Sequence, residues 1–509
     1  MITFFATTLC IFLLFALLWF LHKVWWTPIR IQSFMASQGI KGPSYRFIHG
    51  STKQISTMLE ETESKPMEDI SHHLFPRLLP HVYAWTQLYG KTYLNWHGPR
   101  AQLVVAEPSL VKEILNNKDG AYPKTKIDDY LKKLLGDGIV ICEGEKWSKL
   151  RKIANHAFHG ESLKEMVPAM VKSVETMLER WRQHEGKEIE VYEEFRMLTS
   201  EIISRTAFGS SYLEGKNIFD MLMKLGVIVS RNELKISFPA IGKFVKSRDE
   251  IDSDKIEQEI RDAIIAMVKK RENKVITGET ESYGSDFLGS LIKVNHDANE
   301  NNRISIDNIV DECKTFYIAG QETTNSSLAW SVLLLAIHTD WQDKARKEVL
   351  DLFGNQNPNL EGIARLKTVS MILNETMRLY TPVIQVIRKV ERAVKLGKHN
   401  LPSNIDVTVP ILALHHDPEI WGQDVHLFKP ERFEEGVAKA TNNIASFIPF
   451  SFGPRMCVGL NFANAESKIA LSMILQRYKF TLSPTYVHWP IQMLTLRPQH
   501  GIQVIFHQL

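Results

Sequence analysis

A chain of 509 residues that is 44% hydrophobic, 23% charged and 10% aromatic has the apolar content for a sizeable core, which excludes a disordered or fibrous class. A formal net charge of +3, with no concentrated basic face, excludes a nucleic-acid partner. The cysteines are Cys10, Cys142, Cys313 and Cys457, none in C-x-x-C spacing; this excludes a disulfide framework and indicates a reducing compartment.

Ile2 to Leu21 carries no charged residue, and a membrane-spanning helix needs ~20 such positions. Trp19, Trp25 and Trp26 gather at its far end like an interfacial belt. Lys23, Arg30, Lys41 and Arg46 follow and no charge precedes, which places the amino terminus outside and the rest in the cytosol. A cleaved signal peptide would need a basic start and a small-residue cleavage site, and neither is there. Thr27-Pro28 and Gly42-Pro43 are expected to break the helix. The division is 1–22 transmembrane anchor, 23–46 hinge and 47–509 main body.

Leu94 to Ala106 reads as a hairpin around Gly98-Pro99. In Gly144 to Arg151, Trp147 and Arg151 lie one turn apart and share a face. Lys146, Lys149 and Lys152 fall opposite, as a solvated face or a docking patch for an acidic partner. Lys274 to Gly284 and His296 to Asn302 read as surface loops. Ser305 to His338 reads as one helix of roughly 50 Å capped by Ser305, the central beam of a helical body. Inside it lies Ala319-Gly320-Gln321-Glu322-Thr323-Thr324. A helix-interior Gly costs ~1 kcal/mol relative to Ala, so Gly320 marks either close packing or a local opening. Glu375 and Arg378 meet on one helix face. Val407 to Leu412 reads as a strand. Phe450 to Gly459 is a Gly- and Pro-bearing loop that presents Cys457 just ahead of a helix starting near Leu460, whose amide N–H groups favour a thiolate. Taken alone, a cysteine in a turn is more often structural.

The spacing Phe450, Gly453, Arg455, Cys457, Gly459 fits F-x-x-G-x-R-x-C-x-G, and on it the chain resembles the cytochrome P-450 family. Leu496 to Gly501 is most similar to plant microsomal members that oxidise hormones and terpenoids. The resemblance implies a mainly α fold with small β-sheets and a long helix over haem. It implies haem b with Cys457 as axial iron ligand. Phe450 and Gly453 belong to the haem loop, and Trp147, Arg151, Arg388 and Arg455 to the haem propionates. Glu375, Arg378 and Arg432 become a network bracing the loop, and Thr323 with Glu322 deliver protons to dioxygen. Parts of Ala121 to Ile141, Phe316 to Ala319, Val383 to Ile387 and Met493 to Leu496, with Ile318 and Ile384 among their apolar side chains, are expected to face substrate. The implied partners are NADPH-cytochrome P-450 reductase, O2, membrane lipid and a hydrophobic small molecule. The implied location is the endoplasmic reticulum membrane, single-pass, with the catalytic domain cytosolic. Three rival readings are a haem-thiolate isomerase or peroxide dehydratase, a non-catalytic haem sensor or carrier, and a membrane anchor for partner proteins. An intact Gly320, Glu322 and Thr323 oppose the first.

Overall fold

The computed structural model of the chain describes residues 2–235 and 246–509. The amino-terminal apolar run is a helix, Ile2–Leu21. It leads the segment Phe4–Ser37, whose most apolar window has mean hydropathy 2.5 and is 0% buried, as a membrane anchor requires.

The break expected at Thr27-Pro28 does not occur. The helix passes through a π-helical turn, His22–Trp26, into a further helix, Thr27–Ser37. Pro28 has no N–H for the carbonyl four residues back, which is that of Val24. The buried hydroxyl of Tyr45 donates to that carbonyl instead. Thr27 N–H reaches His22 O, one residue beyond ordinary α spacing. The second half of the helix is docked on the body. Met35 is fully buried, Gln32 Oε1 accepts Tyr45 N–H at 2.7 Å, and Gln38 exchanges hydrogen bonds with the Asn400 backbone at 2.9 and 2.6 Å. The chain then crosses a sheet at Gly42, where a Cβ would lie 1.8 Å from Leu94 O, so only glycine fits.

The strands are β1 (Thr92–His97), β2 (Arg100–Val105), β3 (Glu188–Glu190), β4 (Val386–Lys389), β5 (Val394–Leu396), β6 (His399–Leu401), β7 (Asp406–Val409), β8 (Tyr478–Leu482), β9 (Pro490–Gln492), β10 (Leu496–Pro498) and β11 (Gln503–Gln508). The hairpin expected around Gly98-Pro99 is β1–β2, with Leu94 opposite Leu103. The largest sheet runs β1-β2-β7-β4, with β2 and β7 parallel and the other pairs antiparallel. The other sheets are β3-β11-β8, β5-β6 and β9-β10. The strand expected over Val407 to Leu412 ends at Val409. Pro410 cannot donate to the ladder, and Ile411–His415 is helical. Of the expected loops, Lys274 to Ile276 belongs to the helix Arg248–Ile276, and Glu300–Asn302 forms a 3-10 turn.

The central helix is Ile306–Ile337, about 48 Å at 1.5 Å per residue. Ser305 and His338 are its caps, hence two residues fewer than expected. Ser305 Oγ accepts Asn308 N–H and Asn308 Oδ1 accepts Ser305 N–H, each at 3.2 Å. Aromatic rings hold the helix on both sides: Phe208 stacks on Tyr317 with centroids 4.0 Å apart, and Tyr380 on Trp330 at 4.5 Å.

Candidate active site

The cysteine loop is shaped by backbone constraints. Gly453 has φ +73°, and a Cβ there would lie 2.3 Å from Leu115 O and 2.9 Å from Asn116 Cα. Any side chain would strain the turn and strike backbone. Cys457 N–H donates to Phe450 O at 2.9 Å, closing the loop on itself three residues before the helix Leu460–Arg477 begins.

Behind the loop lies the charge network. Arg378 Nη2 and Nε reach the two oxygens of Glu375 at 2.7 and 2.8 Å, and neither side chain has solvent exposure. Arg432 Nε lies 3.5 Å from Glu375 Oε1, which also accepts Lys429 N–H at 3.0 Å. Arg378 Nη1 donates to His415 O at 2.9 Å, and His415 Nε2 accepts Ile448 N–H at 3.1 Å, two residues before Phe450. Buried charges repay their desolvation only when paired and hydrogen-bonded in this manner.

Cys457 opens on an internal cavity of about 300 Å³. Its sulfur is exposed to that cavity while protein surrounds it at greater depth. Burial pushes the thiol up, and the Gly459 N–H and the Arg151 charge oppose the shift. Phe316, Ala319 and Thr323 form one wall, Ile139 and Val140 a second, and Val383 and Val386 a third. Trp147, Arg151, Phe450 and Arg455 also line it, whereas Gly453, Arg388 and Glu322 do not. Ile318 and Ile384 are buried in the core instead. Met493 to Leu496 also stays off the wall: Thr495 bonds Glu322, and Leu496 O accepts from Ser326 at 2.5 Å and Trp330 at 3.3 Å.

Among the described residues, the charged groups lining this cavity are Lys124, Arg151 and Arg455, and no carboxylate joins them. Arg455 lies 4.2 Å over the Trp147 ring, donates to Cys142 O at 2.9 Å and pairs with Glu143. Arg151 donates to Met456 O at 2.6 Å. Arg388 sits just behind, lowered to about 10 by burial and by Arg455. Lys124 is lowered to about 7 by burial, by Arg388 and by Arg455. Lys124 was not anticipated as a cation of the site; nothing marks it in sequence beyond its place in the Ala121 to Ile141 stretch. An apolar chamber with a thiol on one wall and crowded, under-neutralised cations beside it fits a large macrocycle bearing carboxylates, which is the donor set of a haem-thiolate centre.

Thr323 Oγ1 donates to Ala319 O at 2.7 Å on the cavity wall. Glu322 is buried and turned away, with Oε2 accepting from Thr495 Oγ1 at 3.3 Å and Oε1 without a partner among the described residues. Burial pushes its carboxyl up, and Arg497 opposes the shift. Arg497 in turn lines an outer pocket with Tyr192 and Arg196. Gly320 lines the cavity too, and a Cβ there would lie 2.8 Å from the Ile203 side chain, so close packing accounts for the glycine.

The lysine stripe opposite Trp147 is not a free patch. Lys146 pairs with Asp137 at 2.9 Å, and Lys149 donates to Asn301 O at 2.7 Å and Arg303 O at 3.4 Å. Lys152 remains exposed. The stripe is largely consumed in holding neighbouring loops.

The sequence-family model described as Cytochrome P450 matches residues 78–506. The chain is 59% identical to Cytochrome P450 CYP749A22 of Panax ginseng over 99% of this chain and 97% of that one. It is 41% identical to 11-oxo-beta-amyrin 30-oxidase of Glycyrrhiza uralensis, over 97% and 96% of the two chains. It is 39% identical to 7-deoxyloganic acid hydroxylase of Catharanthus roseus, over 96% and 95%.

Proposed function

The chain belongs to the cytochrome P450 family, and we propose that this monooxygenase hydroxylates an apolar plant metabolite of terpenoid, sterol or hormone class with electrons from an NADPH-dependent reductase. The observation that carries this reading is the single cysteine opening on an apolar chamber whose charged lining residues are all cations. Two relatives whose names specify an oxidase or hydroxylase of terpenoid-type substrates support the substrate class.

Haem b, which the Cys457 thiolate would hold, would supply dioxygen activation and oxygen transfer when bound. Arg151, Arg388, Arg455 and Lys124 would hold its carboxylates, with Trp147 beside Arg455. Phe450 and Gly453 shape the loop behind it. The chamber wall excludes water and orients an apolar substrate through Phe316, Ile139, Val140, Val383 and Val386. Thr323 holds a proton at Oγ1 on the wall. Burial favours the protonated form of the Glu322 carboxyl, and Arg497, whose charge acts on it, lines the outer pocket through which protons would come from solvent. Residues 1–22 are assigned to the membrane, 23–46 to the connection and 47–509 to the catalytic domain, cytosolic on the endoplasmic reticulum.

The test is expression with the reductase in microsomes, fed terpenoids, sterols and plant hormones, with products read by mass spectrometry. One added oxygen atom, dependent on NADPH and absent in Cys457→Ser, is expected. Product formation without NADPH would replace this reading with an isomerase or dehydratase.

A further inference from the structure

The cavity wall at Ile139 and Val140 lies in an irregular segment between the helices Asp129–Leu135 and Gly144–Phe158, with no strand or helix ladder across it. Ile141 and Cys142 N–H close a turn on Gly138 O at 3.0 and 2.9 Å, and the backbone leading into that turn keeps its place only if something outside it holds it. One turn of the central helix does so. Glu312 Oε1 accepts Ile139 N–H at 2.6 Å, and Thr315 Oγ1 donates to Leu135 O at 2.5 Å. Glu312 and Thr315 are three apart and share a helix face. One position before Thr315, Lys314 Nζ donates to Lys133 O at 3.2 Å, while Glu257 at 3.2 Å and Asp311 at 3.5 Å balance its charge.

The segment is cut to fit that turn. Gly136 has φ +68°, and a Cβ there would lie 2.6 Å from Asp311 Cα. At Gly138 a Cβ would lie 2.5 Å from Glu312 Oε1 and 2.8 Å from Thr315 Oγ1. Side chains at either position would force segment and helix apart. Thr315 and Phe316 themselves line the cavity, so the turn that grips the segment is also part of the chamber.

We propose that Glu312 is a positioning residue which, with Thr315, clasps the Leu135–Ile139 backbone to the central helix and thereby sets the shape of the substrate chamber. The proposal rests on reading that chamber as the substrate site. Glu312 acts as a neutral acceptor. Burial pushes its carboxyl up to about 8, against the Ile139 N–H, with Asp311 adding to the shift and Lys146 opposing it. Its second oxygen has no partner among the described residues. The amide of glutamine reproduces that neutral acceptor, so Glu312→Gln is the conservative control, and Glu312→Ala removes the acceptor. Gly138→Ala and Thr315→Val open the same clasp from the segment side and from the other bond.

The experiment uses the full-length holoprotein in lipid nanodiscs. Hydrogen exchange is read on peptides spanning residues 135–142, and binding of 1-phenylimidazole by difference spectroscopy. Glu312→Ala, Gly138→Ala and Thr315→Val should each exchange about tenfold faster there, as expected for losing a buried hydrogen bond, while Glu312→Gln stays near wild type. The same three variants should weaken 1-phenylimidazole binding about fivefold or more. Unchanged exchange in the variants that fold overturns the clasp, and faster exchange with unchanged probe binding overturns its control of the chamber. Neither readout needs turnover. A protein that oxidises none of the metabolites yet shows the exchange pattern would therefore sink the proposed reaction and leave the clasp standing.

Discussion

Lys124 shows how a single side chain can report on a missing counter-charge. Burial pushes its ammonium down to about 7, with Arg388 and Arg455 adding to the shift and Glu143 opposing it. A dicarboxylate ligand would raise it again, so haem binding should take up a proton at pH values above about 7. Holding the iron as thiolate releases the Cys457 proton over the same range and opposes Lys124; Lys124→Met should therefore lower haem affinity near pH 7 and make it rise more steeply between pH 7 and 9 than in the wild type, and titration of apoprotein with haem measures both. Thr323→Ala makes a second prediction at this scale. It should keep the thiolate-type spectrum of the reduced carbon monoxide complex while diverting most of the NADPH consumed into peroxide. Full coupling in that variant would remove Thr323 from proton delivery. Cys457, Trp147 and Arg455 were legible because their spacing in one short loop and one helix turn constrains them. Lys124 was not, because its role depends on two arginines more than 250 positions away in sequence. Glu322 was legible as a residue of the central helix, but sequence could not say that Thr495 and Arg497 would turn its carboxyl away from the chamber.

The element that supports the cysteine loop is the three-residue network on the helix Thr368–Leu379 and the 3-10 turn Pro430–Phe433. Glu375→Gln would leave Arg378 a buried cation without its anion, a change that costs about 3–5 kcal/mol when one partner of a buried pair is removed. The expected outcome is protein that unfolds at lower denaturant and retains less haem, because Arg378 also holds His415 O and through it the Ile448 N–H ahead of the loop. Denaturant melts followed by haem absorbance check this, and a wild-type midpoint would show that the network does not brace the loop. E-x-x-R by itself was legible only as a pair; the network with Arg432 was an expectation of the resemblance, and what neither supplied are the His415 and Ile448 contacts that carry it to the loop. Two of the element boundaries that differ from expectation have separate causes, one distant in sequence and one local. Thr27-Pro28 carries the chain onward because Tyr45 supplies a donor for the freed Val24 carbonyl. The β7 ladder stops early because Pro410 withholds a donor.

At the scale of the whole molecule, segments far apart in sequence converge on a cluster of histidines beside that network. The rings of His73 and His426 lie 3.8 Å apart, His416 and His426 5.6 Å, and His72 and His338 6.2 Å; His72 Nδ1 also shares a 2.7 Å hydrogen bond with Tyr380. No spacing in the sequence announces this cluster, because only His72 and His73 are neighbours, and His338, His416 and His426 arrive on distant segments. Burial, with mutual repulsion and Arg378 adding to it, pushes His72 to about 3 and His426 to about 4, and moves His416 down as well. Elsewhere in the core His415 falls to about 3, and His81 and His488 to about 4. Between an unfolded value of 6.5 and these folded values, only the unfolded chain binds the proton, so each imidazole makes stability fall as pH drops from 6.5 toward 4. Glu312, raised to about 8, and Glu322 and Glu466, also raised by burial, work oppositely: they favour the folded state as pH falls from their folded values toward 4.5. Glu63, Glu190, Glu233 and Asp311 are raised as well, but with His73, His97 and His338 added the nine lowered imidazoles outnumber the seven raised carboxyls among the described residues and, since they give way from 6.5 downward, dominate below it. The holoprotein should therefore lose several degrees of Tm between pH 6.5 and 5, where ordinary surface carboxylates remain mostly ionised. Because the Arg378 charge lowers the imidazoles of the cluster and its guanidinium also holds His415 O in the brace, haem should be released in the same transition. Calorimetry and haem absorbance recorded together from pH 8 to 5 decide the matter: a flat Tm below 6.5, or haem lost well before the heat is absorbed, would separate the histidine cluster from the stability of the cysteine loop.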